Sequence, residues 1–124
     1  MSVSDEDALR FIAASFPSVW ALELLLTLKQ EARAWSREQL IARLRASELV
    51  IGKALDALVA AGLASLDEQG ATYLPVNPQL DECVVAAERL YGSRPNLVRR
   101  TIIAHASGSA SAFADAFRLR KDSE

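Results

Sequence analysis

The sequence predicts a mainly α-helical chain with one small β-hairpin, and three observations lead there. Half of the 124 residues are hydrophobic (51%) but only 6% are aromatic, so the core is aliphatic. An alanine- and leucine-rich core of this kind suits helices packed on helices better than sheet on sheet. Apolar residues then recur at spacings of three and four in several runs, most opened by Ser or Asn and closed by Gly or Pro. Finally, a single pair of short runs, "LASL" and "ATYLP", flanks a turn-forming "DEQG". The length suits one domain with one modest core, and a charged fraction of 24% with mixed signs argues against global disorder.

The first helix is expected to open at Ser4, with Asp7 three residues on in the manner of a capping box. Leu9, Phe11, Ile12 and Phe16 form its apolar side, and Pro17 stops it. A second helix is expected from Ser18 to about Ala32. Val19, Trp20, Leu22, Leu24, Leu25, Leu26 and Leu28 make it apolar nearly all round, so it belongs at the centre.

"RAW" (33–35) then reads as a short extended link. Ser36 and Gln39 form a second capping box, opening a short helix with Leu40, Ile41 and Leu44 inward. A tight turn at Arg45–Ala46 leads to Ser47, which caps the next helix. There Ile51, Leu55, Leu58 and Val59 recur at helical spacing, and Gly62 sits where a left-handed C-cap is needed. The hairpin follows, its turn expected at Gln69–Gly70.

Beyond Pro75 the pattern is helical again. Asn77 caps, Pro78 takes the first helical position, and Leu80, Cys83, Val84, Ala87 and Leu90 form one stripe up to Gly92. "PNLVRRTIIAHA" follows, with Leu97, Ile102 and Ile103 expected inward and Arg99 and Arg100 toward the N-terminal half. The small-residue stretch "ASGSASA" reads as a link to a last short helix, "AFADAFRLRK", with Phe113 and Phe117 one turn apart. Three segments result: an N-terminal helix (1–17), a central unit (18–76) and a C-terminal helical segment (77–124).

Composition narrows the function classes. One cysteine, Cys83, allows neither an intrachain disulfide nor a cysteine-built zinc site. The acidic start "MSVSDEDALR" lacks the basic residues and apolar run of a signal peptide, so none is expected. "VWALELLLTL" is about half a membrane span and contains Glu23, so a cytoplasmic protein is expected. Charge is segregated: residues 1–88 carry seven Lys/Arg against thirteen Asp/Glu, net −6, whereas residues 89–121 carry seven Lys/Arg and only Asp115, net +6. A basic C-terminal layer lying on an acidic body, within one chain or across a dimer, explains this; a basic surface for nucleic acid or an acidic partner is the alternative.

Catalysis is not expected. His105 is the only histidine and reads as a cap or surface residue at a helix end. Cys83 falls on an apolar stripe and reads as core; a redox-sensing thiol would need exposure and nearby positive charge. Asp5, Glu6 and Asp7, like Asp81 and Glu82, lie in first turns, where acids favour the helix dipole. Trp20 reads as a core residue and Trp35 as an interface anchor. No metal or cofactor is expected.

The order helix, short strand, helix, turn, helix, hairpin resembles a winged helix-turn-helix domain. Within it "LIARLRASELVIGKALDALVAAGL" is similar to the two-helix unit of small bacterial regulators of the MarR and ArsR type, through Leu40, Leu44, Ser47, Ile51, Leu55, Leu58, Gly62 and Leu63. The resemblance covers roughly residues 19–75. It implies a transcription regulator binding double-stranded DNA, with the second helix of the pair in the major groove and the hairpin wing on phosphate. Groove-facing positions would be Ser47, Glu48, Leu49, Val50, Gly52 and Lys53, with Arg43 and Arg45 reaching phosphate and Thr72 contributing from the wing.

The chemistry of the same face supports a second reading. Base recognition draws about 1–3 kcal/mol from each bidentate side-chain pair, and Glu48, Leu49, Val50 and Gly52 provide none. Asp67 and Glu68 place acid at the wing tip. Leu49 and Val50 either tuck into the neighbouring helix or face solvent; in the second case they form an apolar patch rimmed by Glu48, Lys53 and Asp56, as protein contact surfaces do, so a protein-interaction module without autonomous DNA binding is the alternative. Arg99, Arg100, Phe113, Phe117 and Arg118 are candidates for an interaction tail, and pairing through the C-terminal helices predicts a homodimer. A ligand-sensing regulator, with a pocket between the central unit and those helices, is a third reading.

Overall fold

The computed structural model describes the backbone of residues 3–118 and the side chains of residues 3–106. Within them the chain is mainly helical with one two-stranded antiparallel sheet. The elements are α1 (Asp5–Ser15), α2 (Val19–Gln30), α3 (Arg37–Leu44), α4 (Glu48–Ala60), β1 (Ala64–Asp67), β2 (Gly70–Tyr73), α5 (Pro78–Ser93) and α6 (Pro95–Arg118).

Every expected N-cap is in place, because each satisfies a backbone N–H that the first helical turn leaves without a partner. Ser4 accepts from Asp7, Ser18 from Ala21, Ser47 from Val50, and Asn77 from Leu80. At α3 both halves of the capping box form: Ser36 Oγ accepts from the Gln39 N–H at 3.1 Å, and Gln39 Oε1 accepts from the Ser36 N–H at 3.0 Å. The α4 terminus closes at Gly62, whose φ of 75° lies in the left-handed region. The Leu63 N–H reaches back to the Leu58 carbonyl and the Gly62 N–H to Val59, as that termination requires.

α2 is the central element, with Ala21, Leu22 and Leu24 through Leu28 buried. It packs chiefly on α4, while α1 packs on α5 and α6. Ile12 and Phe16 of α1, Ile51 and Leu55 of α4, Val84 and Leu90 of α5 and Val98 and Ile102 of α6 all enter one core. Residues before Ser18 and beyond Val76 therefore share the core of the central segment rather than forming cores of their own.

The "RAW" link is extended and joins the sheet. Trp35 and Ala71 exchange backbone hydrogen bonds of 2.9 and 2.8 Å, forming an isolated bridge on the outer side of β2. The hairpin register pairs Asp67 with Gly70, so the two-residue loop is Glu68–Gln69, one residue earlier than expected. Gly70 belongs to β2. It is glycine because its φ is 124° and a Cβ there would run into the Trp35 carbonyl. Asp67 Oδ1 accepts from the Gln69 N–H at 2.8 Å and holds the loop.

Several other expectations are corrected. α2 ends at Gln30 instead of Ala32, and α5 runs past Gly92 to Ser93. The tryptophans exchange roles: Trp20 is 42% exposed, whereas Trp35 is 3% exposed, pinned by its bridge to Ala71. Val59 and Ile103 face outward, and Val98 occupies the buried position beside Ile102. Ile41, Leu44 and Leu97 are half-buried. Cys83 is only half-buried, since Val84 takes the core position. "ASGSASA" is not a link between two helices: the backbone of α6 is one helix from Pro95 to Arg118, which places His105 mid-helix.

A candidate interaction face on α4

The outer face of α4 begins at the turn that presents it. Arg45 adopts φ 54°, ψ 45°, the left-handed conformation that reverses the chain between α3 and α4. Ser47 then caps α4, and its exposed first turn holds Glu48 and Leu49. Leu49 is 67% exposed, a large apolar side chain left in water. Its neighbour Val50 is half-buried and turns the other way, into a small hollow formed with Pro17, Ser18, Trp20, Lys53 and Ala54.

On the other side of Lys53 lies an open depression lined by Arg37, Ser47, Glu48, Leu49, Gly52 and Asp56. Gly52 has a local reason to be glycine: a Cβ there would stand 2.8 Å from the Arg37 guanidinium. The missing side chain lets α3's first residue lie against α4. The result is one surface with apolar points at Leu49, Val50 and Trp20, two cations at Arg37 and Lys53, and two anions at Glu48 and Asp56.

The remaining expected site residues are distributed as follows. Arg43 donates to Glu31 at 2.8 Å in an ion pair half exposed on both sides, and its guanidinium lies 5.3 Å from the Trp35 ring. Arg33 stacks closer on that ring, at 3.8 Å. Arg43 is thus engaged with α2's end and Trp35, while Arg45 is exposed and makes no ion pair among the described residues. Thr72 is half-buried opposite Ser65 on the hairpin, and Asp67 and Glu68 are exposed at its tip.

Arg99 is exposed but engaged with its own chain. It donates to the Tyr91 hydroxyl at 3.3 Å and to Asn96, and Tyr91 in turn donates to Glu23 of α2. Burial, reinforced by the Glu23 carboxylate, pushes the Tyr91 hydroxyl above its ordinary pKa despite the opposing Arg99 charge. The network ties α6 and α5 to the central helix, with Arg99 at its exposed end. Arg100 is exposed. Phe113, Phe117 and Arg118 lie on the helical backbone of α6, with side chains outside the described residues.

Two half-buried groups missed by sequence reasoning belong to the same framework. Lys29 donates to Glu88 at 2.9 Å and Gln30 at 3.2 Å, joining α2 to α5. Burial opposes ionisation of Glu88, but these hydrogen bonds and the Lys29 charge outweigh it and hold the carboxyl below its ordinary pKa. Tyr73 donates to Asp81 at 2.6 Å; burial and that carboxylate push its hydroxyl well above the ordinary range. No sequence spacing links such pairs, which are up to 59 residues apart.

For Cys83, burial first and then Glu82 and Asp7 push the pKa up, which keeps it a thiol. Among the described residues no three His, Cys, Asp or Glu side chains gather as metal ligands would. Nor is any single helix there long and apolar enough to cross a membrane. No protein-family model, curated protein or solved structure matches the chain.

Proposed function

We propose that the chain is a protein-interaction module built on a winged helix-turn-helix scaffold, gripping a protein partner with the outer face of α4. The observation that carries this reading is the exposure of Leu49, 67%, in a depression that Lys53 separates from the hollow of Val50 and Trp20. Apolar points with a charged rim are the anatomy of protein contact surfaces, where a few desolvated side chains supply most of the affinity. Leu49 would enter the partner's apolar core, while Arg37, Lys53, Glu48 and Asp56 would set its orientation.

A second reading, a transcription regulator binding double-stranded DNA through the same helix, is favoured by one observation. Arg37, Arg45 and Lys53 surround the N-terminal half of α4 and make no ion pair among the described residues. Ser47 and the positive end of the helix dipole would add to phosphate contact. Arg43 counts for less, because Glu31 already neutralises it. Three cations per chain beside Glu48, Asp56, Asp67 and Glu68 give a weak electrostatic footprint, and affinity for DNA depends on that footprint.

An anisotropy titration with labelled mixed-sequence duplex at low salt separates the two. The interaction reading expects no saturable binding at micromolar protein. Binding that weakens steeply with added salt, and that Arg45→Ala together with Lys53→Ala reduces, would transfer the assignment to DNA.

A further inference from the structure

The charge that the sequence segregates is not neutralised inside the fold. Arg89, Arg94, Arg99 and Arg100 are all exposed, and none makes an ion pair among the described residues. The ion pairs there belong to Arg10, Lys29 and Arg43 instead. Glu23 and Glu88 reach toward these arginines but are already engaged, Glu23 by the Tyr91 hydroxyl and Glu88 by Lys29 and Gln30. From Arg89 to Ala106 the sequence contains no Asp or Glu.

The four arginines gather at the corner where α5 gives way to α6. A depression of about 300 Å³ there is lined by Ser93, Arg94, Pro95, Asn96, Leu97 and Arg100. Arg99 donates to Asn96 on its rim, and the Tyr91 hydroxyl also holds the Arg99 guanidinium. Arg89 lies one helical turn before Ser93 on α5. A chain of net charge −2 thus carries one purely cationic corner. All four cations are arginine, whose planar fork meets a carboxylate through two parallel hydrogen bonds.

Apolar groups stand among these charges. Pro95 and Leu97 are half-buried in the lining of the depression. Ile103 is 57% exposed, one turn beyond Arg99 and Arg100 on α6. A nucleic-acid backbone is met through its phosphates and sugars, and an exposed isoleucine adds nothing to that contact. Arginine beside desolvated apolar residues is instead the composition that protein interfaces concentrate, while lysine is depleted there. A polypeptide that carries carboxylates and an aliphatic side chain uses both features.

We propose that the α5–α6 corner binds an acidic segment of another protein, which pairs its carboxylates with Arg94 and Arg100 and covers Ile103 with an aliphatic side chain. Arg89 and Arg99 extend the positive field that draws the segment in. The corner shares no residue with the outer face of α4 and survives if the reading of that face fails.

The test is an anisotropy titration of the full chain with a labelled synthetic peptide of glutamates, with leucines at helical spacing, in low salt. Saturable binding is expected below about 100 μM. Arg94→Ala with Arg100→Ala should weaken it at least about tenfold, and Ile103→Ser about threefold. Lysine in place of the peptide's glutamates should abolish binding. Leu49→Ser should leave it unchanged, which separates this corner from the α4 face. All these positions are exposed, so each variant should keep the parent's unfolding midpoint. Absence of saturable binding, or binding that either the arginine pair or Ile103→Ser leaves unchanged, overturns the proposal. So does a labelled oligonucleotide that binds more tightly than the peptide and is lost with the same arginines. A parent chain that sediments as a dimer, and as a monomer once those arginines are removed, also overturns it, because a second copy is then the occupant.

Discussion

Glu88 shows what one residue contributes. Its carboxyl accepts from both Lys29 and Gln30 in a half-buried setting, and its native pKa lies below the ordinary value because those contacts outweigh burial. A carboxyl lowered on folding contributes stability above its unfolded pKa, about 4.3 for glutamate, and loses it as pH falls through the lowered native value. Glu88→Gln should therefore lower unfolding free energy by about 1.5–3 kcal/mol at pH 7, the range for hydrogen bonds to a charged group. The gap between the two proteins should close in acid. Urea unfolding at pH 7 and near pH 3 checks this, and a gap independent of pH would mean that shape, not charge, makes the contribution.

Leu49 is the opposite case, since nothing inside the fold uses it. A large apolar residue at 67% exposure does nothing for the core, so replacing it with serine should leave unfolding free energy within about 0.5 kcal/mol.

At the scale of elements, the α3–turn–α4 unit is the part where local chemistry decides most. The turn depends on Arg45 in a left-handed conformation, which costs a non-glycine residue about 1–2 kcal/mol. Glycine removes that strain but loses about 0.5–1 kcal/mol through its freer unfolded chain. Arg45→Gly should thus raise stability by up to about 1 kcal/mol, read as a higher unfolding midpoint, and a clear loss would mean that the Arg45 side chain contributes to the fold.

What could be read in the sequence follows the same division. Caps, Gly62 and the apolar period of α4 act over four or five residues, and each was legible. Trp20 and Trp35 were not, because their burial depends on the bridge between Trp35 and Ala71, 36 positions away in the chain and unmarked by spacing. Gly70 looked like a turn residue, but its conformation answers to the crowding Trp35 carbonyl, which displaced the loop by one position. "ASGSASA" reads as a linker by composition, yet α6 is continuous through it, since backbone preference is weak beside packing. At the candidate site, the helical period left open whether Leu49 and Val50 face solvent or tuck against the neighbouring helix, and the structure exposes Leu49 while half-burying Val50. The engagement of Arg43 with Glu31 and of Arg99 with Tyr91 was not legible either, because both partners come from other helices or from further along the chain.

For the whole molecule, the outer face of α4 stands out among the described residues after the core and its polar ties have been assigned. It carries an exposed leucine between mixed charges.

The most direct test of the α4 assignment is site-specific photocrosslinking in the producing cells, with a photoreactive side chain in place of Leu49. A discrete protein adduct is the expected result, absent when the same group replaces the exposed Glu68 at the hairpin tip and reduced when Lys53 and Asp56 are exchanged for alanine. An adduct made of DNA, or none distinguishable from the Glu68 control, would contradict it.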